Sequence, residues 1–365
     1  MPDFYIFMEE RVKSENKKWF RKQLMSWNST ENHRDMPWKG ERNPYRVWMS
    51  EIILQQTRVE QGKAYYERFI NQYPDAASLA EAPEESVFKL WEGLGYYSRC
   101  KNMISAAREI QADYGGKFPD DFANIRALPG VGPYTAAAIA SFAFDQPHAV
   151  VDGNVYRVLS RFFGIAEAID TTAGKKYFKN LSDELLDVKQ PARYNQAIMD
   201  LGATVCKPRQ PLCKSCPVNS GCFAFRKDKI DLLPVKSKKL VKKSRWFNFL
   251  ILMSEGRVLV EKRTSKDIWE NLYQFPLVEA EKLPVHENWN IDELAAAKIE
   301  NKITFLFQHT QQLTHQTING RFFTLQCDAR SFTSGERWVR IEDLKTLPFP
   351  RMITRILPDL PGYVS

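Results

Sequence analysis

From residue 16 to about 204, apolar residues recur at three- and four-residue intervals, broken by short turns bearing Gly, Pro or Asp. This pattern predicts helices over 16–28, 44–58, 84–93, 98–113, 133–145, 153–163 and 192–204. Asn43-Pro44 marks the second start, with Asn as the cap and Pro in the first helical position. Beyond residue 246 the period changes. "RWFNFLILM", "SEGR" and "VLVEKR" read as two apolar strands around a polar, Gly-containing turn. "KITFLFQHT" and "RFFTLQCD" are further strand candidates, whereas "DELAAAKI" and "PRMITRIL" have a helical pattern. The expectation is a multidomain chain, all-α over 9–225 and α+β over 246–365.

Between the two patterns, 226–245 ("RKDKIDLLPVKSKKLVKKSR") has little apolar periodicity and is expected to tether them. It carries nine Lys/Arg against two Asp, a net +7 out of +8 for the whole chain. It is either a solvated linker or a phosphate-tracking segment, and the overall basic balance favours an anionic partner. A length of 365 residues with 44% hydrophobic content is enough for two cores. No 18-residue apolar span or secretory leader is evident, so a soluble, cytoplasmic protein without membrane attachment is expected.

Three places carry chemistry. In "WMSEIILQQTRVE", Val47, Trp48 and Leu54 lie on the same helical face as Glu51. A carboxyl group among them either pairs with a structural Arg or Lys, or has its pKa raised until it can donate a proton near neutral pH. Secondly, Cys206, Cys213, Cys216 and Cys222 lie within 17 residues. Without an export signal they suit tetrahedral zinc or an iron–sulfur cluster better than disulfides. Cys100 and Cys327 read as isolated thiols. Thirdly, "LPGVGPYTAAAIASFAF" places Gly130-Val131-Gly132 in a tight turn opening a helix, where backbone amides can meet phosphate oxygens. Downstream, Asp152 stands as the cap of a helix ending near Gly164.

Taken together, Leu-Pro-Gly-Val-Gly (128–132), Val-Asp-Gly-Asn-Val (151–155) and the cysteine run resemble the helix-hairpin-helix DNA glycosylase superfamily. "RDMPWK" (34–39), "SEIILQQTRVE" (50–60), "GLGYYSRCKN" (93–102) and "YNQAIMDLGATVC" (194–206) narrow the resemblance to the adenine DNA glycosylases. The resemblance implies a six-helix barrel module packed on a cluster-bearing helical module, with one 4Fe-4S cluster held by the four cysteines. The endonuclease III branch carries a nucleophilic Lys two residues after the second hairpin glycine. Here Tyr134 occupies that position, and a phenol cannot form the Schiff base that leads to strand cleavage, which implies a monofunctional N-glycosylase.

The implied reaction is release of adenine mispaired with 8-oxoguanine or guanine in double-stranded DNA, after the base is flipped from the stack. Glu51 would protonate adenine N7, and an ionised Asp152 would stabilise or capture the sugar cation, two carboxyl groups with opposed pKa values. The resemblance also assigns Tyr134 and Asn154 around Asp152, and Arg34, Trp38 and Gln196 near the adenine. Gln56 and Tyr96 are assigned to the duplex beside the opposite base. The C-terminal part resembles a MutT- or Nudix-like lesion-reading domain, yet 246–365 contains no Nudix box, so magnesium-dependent nucleotide hydrolysis is not expected. Leu313-Thr314-His315 keep the hydroxyl and imidazole of the family's lesion-reading turn, but lack its aromatic and follow His309-Thr310 with two extra residues. Phe307-Gln308-His309 is the rival, and a hairpin turn at Asn319-Gly320 would shift the register. The expectation is a monomer, nucleoid-associated in a bacterium. An endonuclease III-like pyrimidine glycosylase and a non-catalytic iron–sulfur regulator fit less well. Tyr134 and the second domain count against the first, and the Glu51–Asp152 pair against the second.

Overall fold

The computed structural model of the chain describes residues 14–237, 242–282, 303–327, 337–361 and 363. The chain forms two compact units, Met1–Glu81 with Ser105–Lys239, and Ala82–Ile104 with Leu240–Ser365. In chain order the helices are α1 (Ser14–Thr30), α2 (Pro44–Leu54), α3 (Val59–Gln72), α4 (Ala76–Glu81), α5 (Glu84–Trp91), α6 (Ser98–Tyr114), α7 (Phe122–Ala127), α8 (Pro133–Phe144), α9 (Gly153–Phe163), α10 (Thr172–Leu185), α11 (Pro191–Asp200), α12 (Phe223–Arg226) and α13 (Arg351–Thr354). Residues 82–104, which the helical period groups with the N-terminal half, belong to the second unit, so α6 runs from one unit into the other.

The first unit has one core where α1, α9, α10 and α11 meet through Phe20, Leu24, Phe162, Phe163, Phe178, Leu181 and Ile198. Burying each such side chain contributes roughly 1.5–3 kcal/mol, which holds the two ends of this unit together. The α2 helix starts as its sequence predicts. Asn43 Oδ1 accepts from the amides of Tyr45 and Arg46 at 3.0 and 3.2 Å, and Pro44 fills the first turn. It ends at Leu54, four residues before the expected stop, because Gln56 turns into the left-handed region (φ 59°) and α3 begins at Val59. No Gly or Pro marks that break. The 192–204 helix likewise changes character after Asp200, where Leu201–Val205 widens into a π turn.

Among the described residues the second unit holds a seven-stranded mixed sheet of β1 (Lys243–Ser254), β2 (Arg257–Lys262), β3 (Tyr273–Gln274), β4 (Leu277–Glu279), β5 (Thr304–Gln312), β6 (Gln316–Gln326) and β7 (Arg337–Arg340). The path runs β3-β2-β1-β6-β5, with β1 and β6 parallel, β4 on β1 and β7 on β2. The expected β1–β2 hairpin turns at Glu255-Gly256, both at positive φ (45° and 73°), as a two-residue turn matched to strand twist requires. Asn319-Gly320 is not a turn. It lies inside β6 opposite Thr310 and His309, and the reversal falls at Leu313-Thr314-His315. Gly320 also lets Met352 pack close to the strand, since a Cβ there would lie 2.5 Å from Met352 Sδ and the methionine would have to move. "PRMITRIL" is helical only over Arg351–Thr354, followed by a 3-10 turn at Leu357–Asp359, and "DELAAAKI" lies outside the described residues.

The first part of the tether is fixed to the first unit. Arg161 Nε donates to the carbonyls of Ile230 and Leu233, the Ile169 amide donates to Val235 O, and Ser237 donates to Asp170. The groups that anchor it lie some 70 residues away, which is why local composition reads it as free.

Candidate active site

A cavity of about 570 Å³ opens in the first unit. Glu51 from α2, Tyr134 from the first turn of α8, and Asp152 and Asn154 at the start of α9 line it together with Arg34, Trp38, Gln56 and Gln196. Glu51 is only 7% exposed. Among the described residues no Lys, Arg or His pairs with it; its neighbours are the Tyr134 hydroxyl, which donates a hydrogen bond, and Asp152. Burial pushes its pKa up to about 7; the Tyr134 hydrogen bond opposes this, and the nearby Asp152 charge adds to it. The Tyr134 phenol is raised well above its usual range by burial and by the two acids, so it stays a donor.

Asp152 caps α9. Its Oδ1 accepts from the amides of Asn154 (2.9 Å) and Val155 (2.8 Å), and its Oδ2 from Asn154 Nδ2 (2.7 Å). Burial raises its pKa too; these three hydrogen bonds and the Arg157 charge pull back. The two acids therefore do not shift in opposite directions. Both are raised by burial, and only Asp152 has amides and a cation to hold its negative charge. Arg157, one turn along α9, donates to Asn154 Oδ1 at 2.8 Å and to Gly202 O at 2.7 Å. A Cβ on Gly202 would lie 2.5 Å from Asn154 Cβ, so the π turn seats a glycine directly under the Asp152–Asn154 pair.

The opposite wall is organised by Asp200, whose side chain is fully buried. It takes Arg34, Lys39, Asn32 and Gln196 as donors. Trp38 meets Tyr66 edge-on at 5.3 Å. Gly130, with φ 75°, makes the turn before α8, and Gly132 caps that helix with open space where a Cβ would stand. In the second unit, Tyr96 holds a left-handed backbone (φ 48°) and its hydroxyl is hydrogen-bonded to Thr314 Oγ1 in the β5–β6 turn.

Cys206, Cys213, Cys216 and Cys222 line one pocket with Val158, Phe162 and Leu201. Arg157 donates to Cys206 O at 2.7 Å, and Arg161 reaches Cys206 Sγ at 3.6 Å. Among the described residues, no three His, Cys, Asp or Glu side chains converge as a single-ion site would require.

Residues 49–184 match the HhH-GPD superfamily of base excision DNA repair proteins, and 248–359 match a NUDIX domain. An adenine DNA glycosylase from Buchnera aphidicola subsp. Acyrthosiphon pisum (strain APS) is 32% identical over 346 residues, covering 93% of this chain and 96% of that protein. This chain belongs to the adenine DNA glycosylase family. It is a DNA N-glycosylase of base-excision repair. The mouse adenine DNA glycosylase is 45% identical over 217 residues, 57% of this chain and 42% of the mouse protein. Among solved structures, a thermostable thymine-DNA glycosylase is similar at a TM-score of 0.54 and 31% identity, over 58% of this chain and 97% of that one. A trapped endonuclease III–DNA covalent intermediate is similar at 0.51 and 22%, over 58% and 98%, and shares the fold.

In this adenine DNA glycosylase, Glu51, Tyr134, Asp152, Asn154, Arg34, Trp38, Gln56 and Gln196 thus line one cavity, whereas Tyr96 and Thr314 meet in the other unit. Sequence reasoning missed Arg157, Lys39 and Asp200. Arg157 was detectable as the residue three after Asn154 on one helix, and Asp200 as the residue four after Gln196. The links from Asp200 to Arg34 and Lys39 span more than 160 residues and left no local trace. Among the described residues, no helix is long and apolar enough to cross a membrane.

Proposed function

We propose that this glycosylase hydrolyses the N-glycosidic bond of adenine opposite 8-oxoguanine or guanine in double-stranded DNA. The observation that carries the reading is Glu51, buried with no cation paired to it among the described residues and raised to about 7 in a cavity shared with Asp152. An adenine flipped into the cavity takes the Glu51 proton at N7, with Tyr134 steadying the carboxyl group. The C1′–N9 bond breaks with its electron pair on the base. Asp152, held by amides and Asn154 with Arg157 nearby, faces the sugar cation as a carboxylate. Water adds at C1′, and its proton returns to the Glu51 carboxylate. The amides of Gly130 and Gly132 at the start of α8 suit a DNA phosphate, while the Val131 amide donates to Leu128 O at 3.1 Å and holds the turn that presents them. With Tyr134 where an amine nucleophile would stand, the enzyme is monofunctional.

The donor set of four thiols around one apolar-walled pocket, not converging on a single-ion point, fits one 4Fe-4S cluster. Such a cluster would supply a folding cross-link for Cys206–Cys222, and the cavity chemistry needs nothing from it. Gln56 and Tyr96, both forced into left-handed backbone, suit insertion beside the opposite base. We place lesion reading at Leu313, Thr314 and His315. Thr314 meets Tyr96, whereas His309 is engaged by Arg355 at 2.8 Å and Phe307 is stacked on Phe322. We take the enzyme to act as a monomer on chromosomal DNA in the cytoplasm.

The test is single-turnover base release from duplexes with adenine opposite 8-oxoguanine, opposite guanine and opposite thymine, and from duplexes carrying thymine glycol, with borohydride trapping alongside. Release from the first two, without a trapped adduct, is expected; release of pyrimidine lesions with a trapped adduct would overturn the reading. Thr314→Ala with His315→Ala should weaken binding to the 8-oxoguanine duplex by roughly 1–3 kcal/mol per lost contact, and to the guanine duplex by less. An equal loss on both duplexes would move lesion reading elsewhere.

A further inference from the structure

We propose that Asp200 is the positioning residue that sets base selectivity, by fixing which end of the Gln196 amide faces the cavity. The inference rests on the reading that adenine occupies that cavity. Asp200 does not line the cavity, but it holds three residues that do. Its Oδ1 accepts from Arg34 Nη1 at 2.8 Å and Gln196 Nε2 at 2.9 Å. Its Oδ2 accepts from Asn32 Nδ2 at 2.8 Å and pairs with Lys39 Nζ at 3.3 Å.

A carboxylate paired with two cations can only accept, so the end of Gln196 that meets it must be the amide nitrogen. The carbonyl Oε1 is then turned away from Asp200 and accepts nothing from the described residues. The cavity thereby presents an oxygen acceptor where rotation of the same side chain would present a donor. A purine with a 6-amino group donates to that oxygen. A purine with a 6-oxo group, such as hypoxanthine, sets oxygen against oxygen and leaves both unpaired, the situation in which polar sites discriminate most strongly. Adenine is therefore preferred because of a residue that never touches it.

The experiment is the ratio of single-turnover release rates for adenine and hypoxanthine, each opposite 8-oxoguanine, in otherwise identical duplexes. The wild-type enzyme should favour adenine. Asp200→Asn leaves one acceptor oxygen for donors that now share two, so Gln196 is no longer held by its nitrogen and can reverse, and the ratio should fall at least about tenfold. A general loss of stability would slow both substrates alike and leave the ratio unchanged. Asp200→Glu, which keeps the charge, should restore part of the ratio. Gln196→Met leaves Asp200 and its cations in place and removes the reader, so it should collapse the ratio as well. It keeps the inference testable if Asp200→Asn does not fold. An unchanged ratio in folded Asp200→Asn, or in Gln196→Met, overturns the inference while adenine release by the wild type leaves the proposed function standing. Failure of the wild type to release adenine would instead overturn the function on which it rests.

Discussion

Glu51→Gln should release adenine at least about 10²–10⁴-fold more slowly in a single turnover, while binding the mismatched duplex and melting no lower than the wild type. Gln keeps the shape of Glu and accepts the Tyr134 hydrogen bond, but it has no proton to give. The stability half of the prediction has a definite sign. A carboxyl group at about 7 in the folded chain, against an ordinary 4.5, holds its proton more tightly folded than unfolded. It therefore costs stability progressively as pH rises from about 4.5 to 7, and fully above that. The shift corresponds to about 3 kcal/mol at pH 8. Glu51→Gln should remove that cost, so the variant should unfold at higher denaturant concentration than the wild type at pH 8, with the gap closing towards pH 5. For the wild type, the single-turnover rate should fall as pH rises through about 7, because only the protonated acid can donate. If Glu51 were a structural partner of a buried cation, its loss would strand that charge and destabilise by several kcal/mol. Denaturant midpoints, duplex binding and single-turnover rates on one preparation separate the two. A folded Glu51→Gln enzyme within tenfold of wild type would end the acid role.

Cys213→Ser should cost colour and fold together. If the four cysteines hold a 4Fe-4S cluster, wild-type protein is yellow-brown with broad visible absorbance, and iron and sulfide analyse at four each per chain. Removing one ligand should bleach the protein and leave most of it insoluble, because at such sites metal binding is folding energy. Here it would hold together Cys206–Cys222, a stretch with only short 3-10 turns between Leu212 and Gly221. Cys327→Ser, a change in the other unit, should leave the colour intact. Colourless wild-type protein that releases adenine at full rate with one bound zinc would rule out the cluster.

Much of this was legible in the linear chain, for identifiable physical reasons. The caps were readable because a cap is a local device: Asn43 and Asp152 satisfy amides two and three residues away, in the pattern their side chains suggest. The change from helical to strand period at residue 246, the Glu255-Gly256 turn and the cysteine spacing are equally local. That Glu51 stood on an apolar face was likewise evident, and so were its two possible fates.

Tertiary structure alone set what surrounds Glu51, through what α8 and α9 bring against α2: a phenol and a second acid, and no paired cation among the described residues. It also decided that Asn319-Gly320 stays inside a strand, since pairing with β1 and β5 on both sides outweighs the local preference of that dipeptide for a turn. It broke the second helix at Gln56 without a Gly or Pro, because the surrounding fold holds that residue in a conformation its own preference disfavours. And it made Asp200 the hub of the cavity wall, since the Arg34 and Lys39 that meet it come from a loop more than 160 residues away. Periodicity reports what a residue's own element requires of it; a buried polar network is set by which elements the core draws together, and local pattern does not encode that.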